Sequence, residues 1–186
     1  MHNRGWAEII VVASAMGLAG WAGWIDWRLR KIPNRLTIPA LLAGLAISAC
    51  LQGWSGAKSA LEGAGVSLVL LLPFVLLRGL GAGDWKLMGA LGAFLGLQVV
   101  WVLLGTVLIV GLMSVVEIIR QGKIQQTLSN LWVLMVACAT FHINVAASIT
   151  LDNPRLLKVP FGVAAALATG VYVLAVFTGR AVPLWR

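Results

Sequence analysis

Long apolar runs separated by short polar segments are the main pattern of this chain. Residues 6–25 are apolar apart from Glu8, and further apolar runs cover residues 37–54, 61–77 and 85–118. A helix of about 20 apolar residues is long enough to cross the roughly 30 Å hydrocarbon core of a bilayer. The pattern therefore predicts a bundle of membrane-spanning helices.

The run over residues 85–118 is too long for one span, and we divide it near Gly96 into a short helix and a full span. The first run ends without a small-residue cleavage site, so we expect it to be retained as the first helix. The predicted fold is all-α, a single polytopic membrane domain over residues 1–186 with about six transmembrane helices. The predicted spans are residues 6–25, 37–54, 61–77, 85–97, 99–118 and 159–178.

Residues 128–151 are apolar but interrupted by His142, Asn144 and Ser148. Cytoplasmic loops carry an excess of lysine and arginine, so the distribution of basic residues between the two faces indicates whether this segment spans the membrane. With the loop after Asp26 inside and 128–151 interfacial or re-entrant, ten of the 14 basic residues are cytoplasmic. If the segment spans instead, eight are inside and six outside, so we favour six spans with both termini outside.

The net charge of +8 would suit a nucleic-acid-binding protein, but the charged residues make up only 11% of the chain and the basic ones fall in short loops. We expect no nucleic-acid partner. Cys50 and Cys138 each lie alone in an apolar run, and His2 and His142 are far apart in the predicted topology. This distribution predicts no metal site and no cofactor.

Six acidic residues remain as candidates for chemistry. The expected role of four is a solvated helix end or a turn: Glu8, Glu62, Glu117 and Asp152. Asp26 and Asp84 differ, because the predicted topology puts both at the same cytoplasmic edge. A carboxylate at a membrane helix end is costly without a partner or water, and this makes both functional candidates. A helix-end charge for Asp26 and an N-cap for Asp84 are the structural alternatives.

Glycines surround the second of these aspartates, in the run Gly81-Ala-Gly-Asp84. They remove side chains beside the carboxylate, so we expect a gap at Gly81 to Gly83 that an extended peptide backbone enters. Two carboxylates a few ångström apart cannot both ionise easily, so one is charged and one holds a proton. The charged one takes a proton from water, and the neutral one polarises the scissile carbonyl and protonates the leaving nitrogen. The pair predicts an aspartic peptidase.

These residues resemble the type IV prepilin peptidases, membrane aspartic proteases marked by a Gly-x-Gly-Asp motif. Gly81-Ala-Gly-Asp84 looks like that motif, and Asp26 with its basic loop and Ile32-Pro-Asn34 looks like the family's first motif. Val159-Pro-Phe-Gly-Val163 is similar to the family's Pro-Tyr-Gly element, with phenylalanine in place of tyrosine. The resemblance implies that Asp26 and Asp84 are catalytic. It also implies substrate-binding or site-shaping roles for Gly81, Gly83, Lys86, Pro33 and Asn34.

The implied reaction is removal of the short basic leader from type IV prepilins or pseudopilins, after a glycine. The resemblance places it at the cytoplasmic face of the bacterial inner membrane, in a multi-pass protein whose partners are a prepilin substrate and membrane lipids. Members that also methylate the new N-terminus carry two Cys-x-x-Cys pairs, which this sequence lacks. It looks like the short form of tight-adherence pilus systems, and we expect no methyltransferase activity. The oligomeric state stays open.

Two other functions stay open at this point. One is a nonenzymatic protein, either a cation carrier using Asp26 and Asp84 or a pilus-assembly scaffold, although a carrier would place its acids near the bilayer midplane. The other is a lipid-modifying transferase whose Arg78 and Lys86 hold phosphate. Neither function accounts for the Ile-Pro-Asn sequence together with the glycine loop.

The charge distribution generates a topology prediction. In a background with Cys50 and Cys138 replaced by serine, cysteines at Lys31 and Lys123 should react with an impermeant thiol reagent only from the cytoplasm. A cysteine at Lys58 should react only from outside. Labelling of positions 31 and 123 from opposite faces would overturn the layout.

Overall fold

A computed structural model describes residues 2–76, 79–122 and 159–179, and its described side chains begin at residue 6. The described residues are almost all helical and contain no β-strand, which confirms the predicted all-α class. Its helices are α1 (His2–Leu29), α2 (Asn34–Leu76), α3 (Ala82–Leu95), α4 (Val99–Arg120) and α5 (Phe161–Phe177), with a 3-10 turn at Gly96–Gln98. The uncertain segment 128–151 and the side chain of Arg78 lie outside the described residues.

Helix α2 is two helical segments that fold back on each other at Gly53. Gly53 has φ 63° and ψ −142°, a left-handed φ that residues with a side chain rarely adopt. Gly44 and Gly63 would lie roughly 28 Å apart on a straight helix, yet Gly44 packs on Ala93 and Gly63 on Gly92, which are neighbours on α3. The sequence predicted a break between these two helices at residues 55–60, and the structure has it slightly earlier, at Gly53.

Small residues allow α3 to lie deep between the two segments of α2. The α-carbon of Gly63 approaches the carbonyl oxygens of Gly92 and Gly96 so closely that no β-carbon fits there. The Ser48 hydroxyl donates to the Ala93 carbonyl oxygen at 3.2 Å. All residues from Leu87 to Leu95 are buried, as the glycine spacing of this helix predicts.

Large apolar side chains cover the outside of the bundle, as expected for a membrane protein. Leu108 and Val69, for example, expose 73% and 68% of their surface. Three stretches of the described residues are long and apolar enough to cross a membrane, and Phe161–Phe177 is a shorter apolar helix. The three stretches are Trp6–Leu29, Asn34–Leu76 and Ala82–Arg120. Each predicted span is mainly helical, and the number of six crossings stays a prediction.

Exposed tryptophans mark the two ends of the bundle. Trp6, Trp54 and Trp101 lie at the end that carries the Gly53 reversal and the start of α4. Trp21, Trp24 and Trp27 lie towards the opposite end, in the last turns of α1. Tryptophan is enriched at both membrane–water interfaces, so this distribution fits helices that run from one interface to the other.

The helices form two groups. Helix α3 packs mainly against α2, whereas α1 packs mainly against α5, and α5 also packs against α4. Direct contacts between α1 and α3 join the two groups. The last turn of α1 and the first turn of α3 lie at the same end of the bundle, where residues of both line one cleft.

The contact at Gly63 generates a stability prediction with a matched control. Gly63→Ala places a β-carbon against the backbone of α3, whereas Gly65→Ala, on the same helix, meets open space. Overpacking of this kind costs roughly 1–3 kcal/mol of unfolding free energy. Thermal unfolding in detergent should show a lowered midpoint for Gly63→Ala only. Equal midpoints for the two variants would contradict the close packing.

Candidate active site

Asp26 lies in the last turn of α1 and is buried, with 5% of its surface exposed. Its Oδ2 atom accepts a hydrogen bond from the backbone N–H of Gly162 at 2.7 Å. Gly162 is the second residue of α5, and the first amides of a helix have no acceptor within it. The N-terminus of α5 also carries a partial positive charge, so it stabilises a carboxylate at this position.

The approach of α5 to Asp26 depends on glycines on both helices. A β-carbon at position 162 would lie 2.8 Å from the β-carbon of Asp26 and 3.2 Å from the Ala22 carbonyl oxygen. A β-carbon at Gly23 would lie 3.1 Å from both the Gly162 carbonyl oxygen and the Ala166 β-carbon. The two backbones are therefore in contact where the hydrogen bond forms.

Asp84 is the third residue of α3, and Gly81 holds the N-cap position. The Asp84 carboxylate accepts a hydrogen bond from the backbone of Gly81. An acidic residue at the third position that reaches back to the N-cap amide is half of a capping box. Asp84 thus stabilises the start of its own helix without occupying the N-cap.

Asp26 and Asp84 line one cleft of about 580 Å³. The two carboxyl groups are close enough for their charges to interact. Gly81 and Gly83 line the same cleft, and Val110 and Ser114 of α4 form another wall. The structure therefore brings together the two aspartates and both glycines that the sequence singled out.

A contact within the protein explains why residue 83 is a glycine. A β-carbon there would lie 2.6 Å from the Ile32 carbonyl oxygen, so the loop between α1 and α2 rests directly on α3. The backbone gap expected beside Gly83 is filled by Ile32. At Gly81 a β-carbon would instead lie 2.9 Å from Oδ2 of Asp84, so glycine at this position keeps that carboxylate accessible.

The other three predicted site residues are Pro33, Asn34 and Lys86. They stabilise the loop between α1 and α2 and are not among the residues lining the cleft. The Lys86 ammonium donates to the Asn34 side-chain oxygen at 3.0 Å and so joins the starts of α2 and α3. Pro33 is exposed, and its carbonyl oxygen accepts from the Leu36 amide at 3.0 Å as α2 begins. These contacts connect the two sequence motifs physically.

Two basic residues of the same loop, Arg30 and Lys31, line the cleft. Arg30 ends α1 with φ 52°, and its amide donates to the Asp26 carbonyl oxygen at 2.9 Å. This left-handed end position usually holds glycine or asparagine. The arginine places a positive charge whose field acts on the Asp26 carboxylate.

Sequence reasoning missed the hydrogen bond from Gly162 and the α4 wall. The Pro160-Phe-Gly162 sequence was a signal for the first, because its resemblance to a family element marked the position without giving it a partner. Within the described ranges, no three histidine, cysteine, aspartate or glutamate side chains gather as a metal site would require. The site therefore consists of two carboxyl groups, backbone amides and two nearby cations.

Comparisons with known proteins identify the family of this chain. The sequence profile of the type IV leader peptidase family matches residues 13–119, a range that contains Asp26 and Asp84. A prepilin leader peptidase/N-methyltransferase of Xanthomonas campestris pv. campestris is 33% identical over 102 residues, which are 51% of this chain and 34% of that relative. The match thus spans about a third of the relative's length. No solved structure matches the chain. Since the family profile covers more than half of its residues, this chain belongs to the type IV leader peptidase family.

Proposed function

We propose that this protein is a membrane aspartic endopeptidase that removes the short basic leader from type IV prepilins or pseudopilins. The observation that carries the proposal is the convergence of Asp26 and Asp84, from different helices, on one cleft in a chain of the leader peptidase family. Both acids lie within one turn of a helix end. A cation carrier would place them near the middle of the membrane.

The proposed reaction uses one ionised and one protonated carboxyl group. The ionised group takes a proton from water as the water oxygen bonds to the scissile carbonyl carbon, and the protonated group donates to the carbonyl oxygen. When the carbon–nitrogen bond breaks, the first group, and not the initially neutral one expected from the sequence, returns its proton to the leaving nitrogen, because the second group has already given its proton to the carbonyl oxygen. The second group then recovers a proton from the diol. The pair ends in its starting state, so the cycle needs neither a metal ion nor a covalent intermediate.

The proposed location is the cytoplasmic face of the bacterial inner membrane, in a multi-pass protein. The basic loop after α1 supports this orientation, since cytoplasmic loops are rich in lysine and arginine. The name of the Xanthomonas relative includes methyl transfer, but the match covers 34% of that protein. Methyl transfer is not part of the proposal.

The charges of the cleft bear on how a basic leader binds. Arg30 and Lys31 line the cleft and repel lysines and arginines of a leader. We therefore propose that anionic lipid headgroups hold the leader's basic residues while the peptide bond after its glycine enters the cleft. The apolar wall that includes Val110 and Phe161 suits the apolar segment that follows the cleavage point.

The carboxyl pair generates a prediction about cooperation. Asp26→Asn, Asp84→Asn and the double variant should accumulate in the membrane and all show near-zero cleavage of a prepilin, because groups that act as a unit lose little more when the second is removed. Cleavage in vesicles, followed by gel shift of the substrate, measures this. Chelators should leave the unmodified protein active.

Glu117→Gln is the matched control for these variants. Glu117 lies in the last turn of α4, at the same end of the bundle as Asp26, and accepts a hydrogen bond from Gln121 outside the cleft. This variant should cleave at the normal rate. Substantial activity in either single aspartate variant, with loss only in the double, would show that the residues act independently and would refute the mechanism.

The two cations of the cleft, Arg30 and Lys31, generate a prediction about lipids. The KM for a prepilin should fall several-fold when neutral vesicles are replaced by vesicles containing anionic lipid, and the difference should shrink as salt screens the charges. The control is a substrate whose leader lysines are replaced by glutamine, which should not respond to anionic lipid. A lipid response of equal size for both substrates would contradict this role of the headgroups.

A further inference from the structure

The two carboxyl groups of the cleft have different electrostatic surroundings. Asp26 accepts from the Gly162 amide of another helix at 2.7 Å, and the positive charge of Arg30 also acts on it. Asp84 accepts from the Gly81 backbone at the start of its own helix, and it repels the Asp26 carboxylate. The repulsion between the two carboxylates acts on both equally, so the two groups differ in the charge of Arg30 and in the Gly162 hydrogen bond, both of which act on Asp26.

The remaining groups of the cleft do not reverse this difference. Among the described lining residues, the charged ones are Arg30 and Lys31 in the loop after α1 and the two aspartates themselves. Helix α4 faces the cleft with Val110 and Ser114, and the α5 side of the cleft is lined by Val159 and Phe161. The α5 helix therefore acts on Asp26 through its backbone.

Resting on the peptidase function proposed above, we propose that Gly162 is a positioning residue that holds Asp26 as the ionised member of the pair. A hydrogen bond to a charged oxygen is about twice as strong as one to a neutral oxygen, so the Gly162 amide favours the charged form of Asp26. Arg30 adds to this preference. The proton that the pair shares then resides on Asp84.

This assignment fixes the direction of each proton transfer. Asp26 takes the proton from water as the oxygen–carbon bond forms, and Asp84 gives its proton to the carbonyl oxygen. On collapse the carbon–nitrogen bond breaks, Asp26 returns its proton to the leaving nitrogen, and Asp84 recovers its proton from the diol. No proton is gained or lost over the cycle.

The decisive variant removes the amide hydrogen without adding atoms. Glycolic acid at position 162 replaces the N–H with an ester oxygen in the full-length protein, whereas any side chain there would collide with Asp26. The acidic limb of the kcat/KM profile against pH should move up by about one unit, so that cleavage below the midpoint falls about tenfold. Cleavage on the alkaline side of the limb should be retained.

The matched control is an ester at Ala164, made with lactic acid. The Ala164 amide donates to the Pro160 carbonyl oxygen in the same first turn of α5, at 3.4 Å. Its loss weakens the helix without touching Asp26, so the pH profile should keep its position. An unmoved acidic limb in an active Gly162 ester, or an equal shift in the Ala164 ester, overturns the proposal.

A second measurement reads the protonation states in the unmodified protein, so it does not depend on the ester variant folding. An epoxide is opened by a carboxylate, whereas a diazo compound esterifies a protonated carboxyl group. Peptide mapping by mass spectrometry should find the epoxide on Asp26 and the diazo-derived ester on Asp84, and the reverse pattern overturns the assignment. Failure of the unmodified protein to cleave any prepilin would instead count against the proposed function itself.

Discussion

A carboxylate that leaves water at the end of a membrane helix needs hydrogen-bond donors, and this constraint shapes one side of the bundle. The donor for Asp26 is a main-chain amide, so the backbone of α5 must come into contact with α1. Gly23 and Gly162 permit that approach. Helix α5 in turn packs on α4 where Gly105 meets Ala168, and α4 forms a wall of the cleft. One hydrogen bond thus has consequences for the positions of three helices.

The second aspartate belongs to a different packing group, and the loop between α1 and α2 connects the two. Ile32 rests on Gly83, and Asn34 accepts from Lys86, so the loop after Asp26 is attached to the helix that carries Asp84. In lipid the helices have no hydrophobic drive to associate, and packing relies on close contact between small residues. The contacts of Gly63 with α3 are the clearest case. The geometry of the pair therefore depends on glycines distant from the chemistry as well as on those beside it.

The helices and the two aspartates could be predicted because their signals are local. Apolar runs require helices in a bilayer, and a charged residue at the edge of such a run is costly enough to stand out. The reversal at Gly53 was placed a few residues late, because a single left-handed glycine leaves a weaker pattern than a polar loop. The hydrogen bond between residues 26 and 162 could not be predicted, since every residue except proline carries an amide. Only the tertiary structure shows which amide is used.

A main-chain donor also changes what sequence variation can reveal about this site. No side-chain replacement at position 162 other than proline deletes the amide, and every replacement adds atoms where Asp26 and Ala22 already lie. A saturation mutagenesis map would therefore record residue 162 as a purely steric requirement for glycine. Natural selection at this position would act on the absence of a β-carbon. The backbone N–H that binds the Asp26 carboxylate would be present in every homologue without proline there, so sequence variation could not reveal its role.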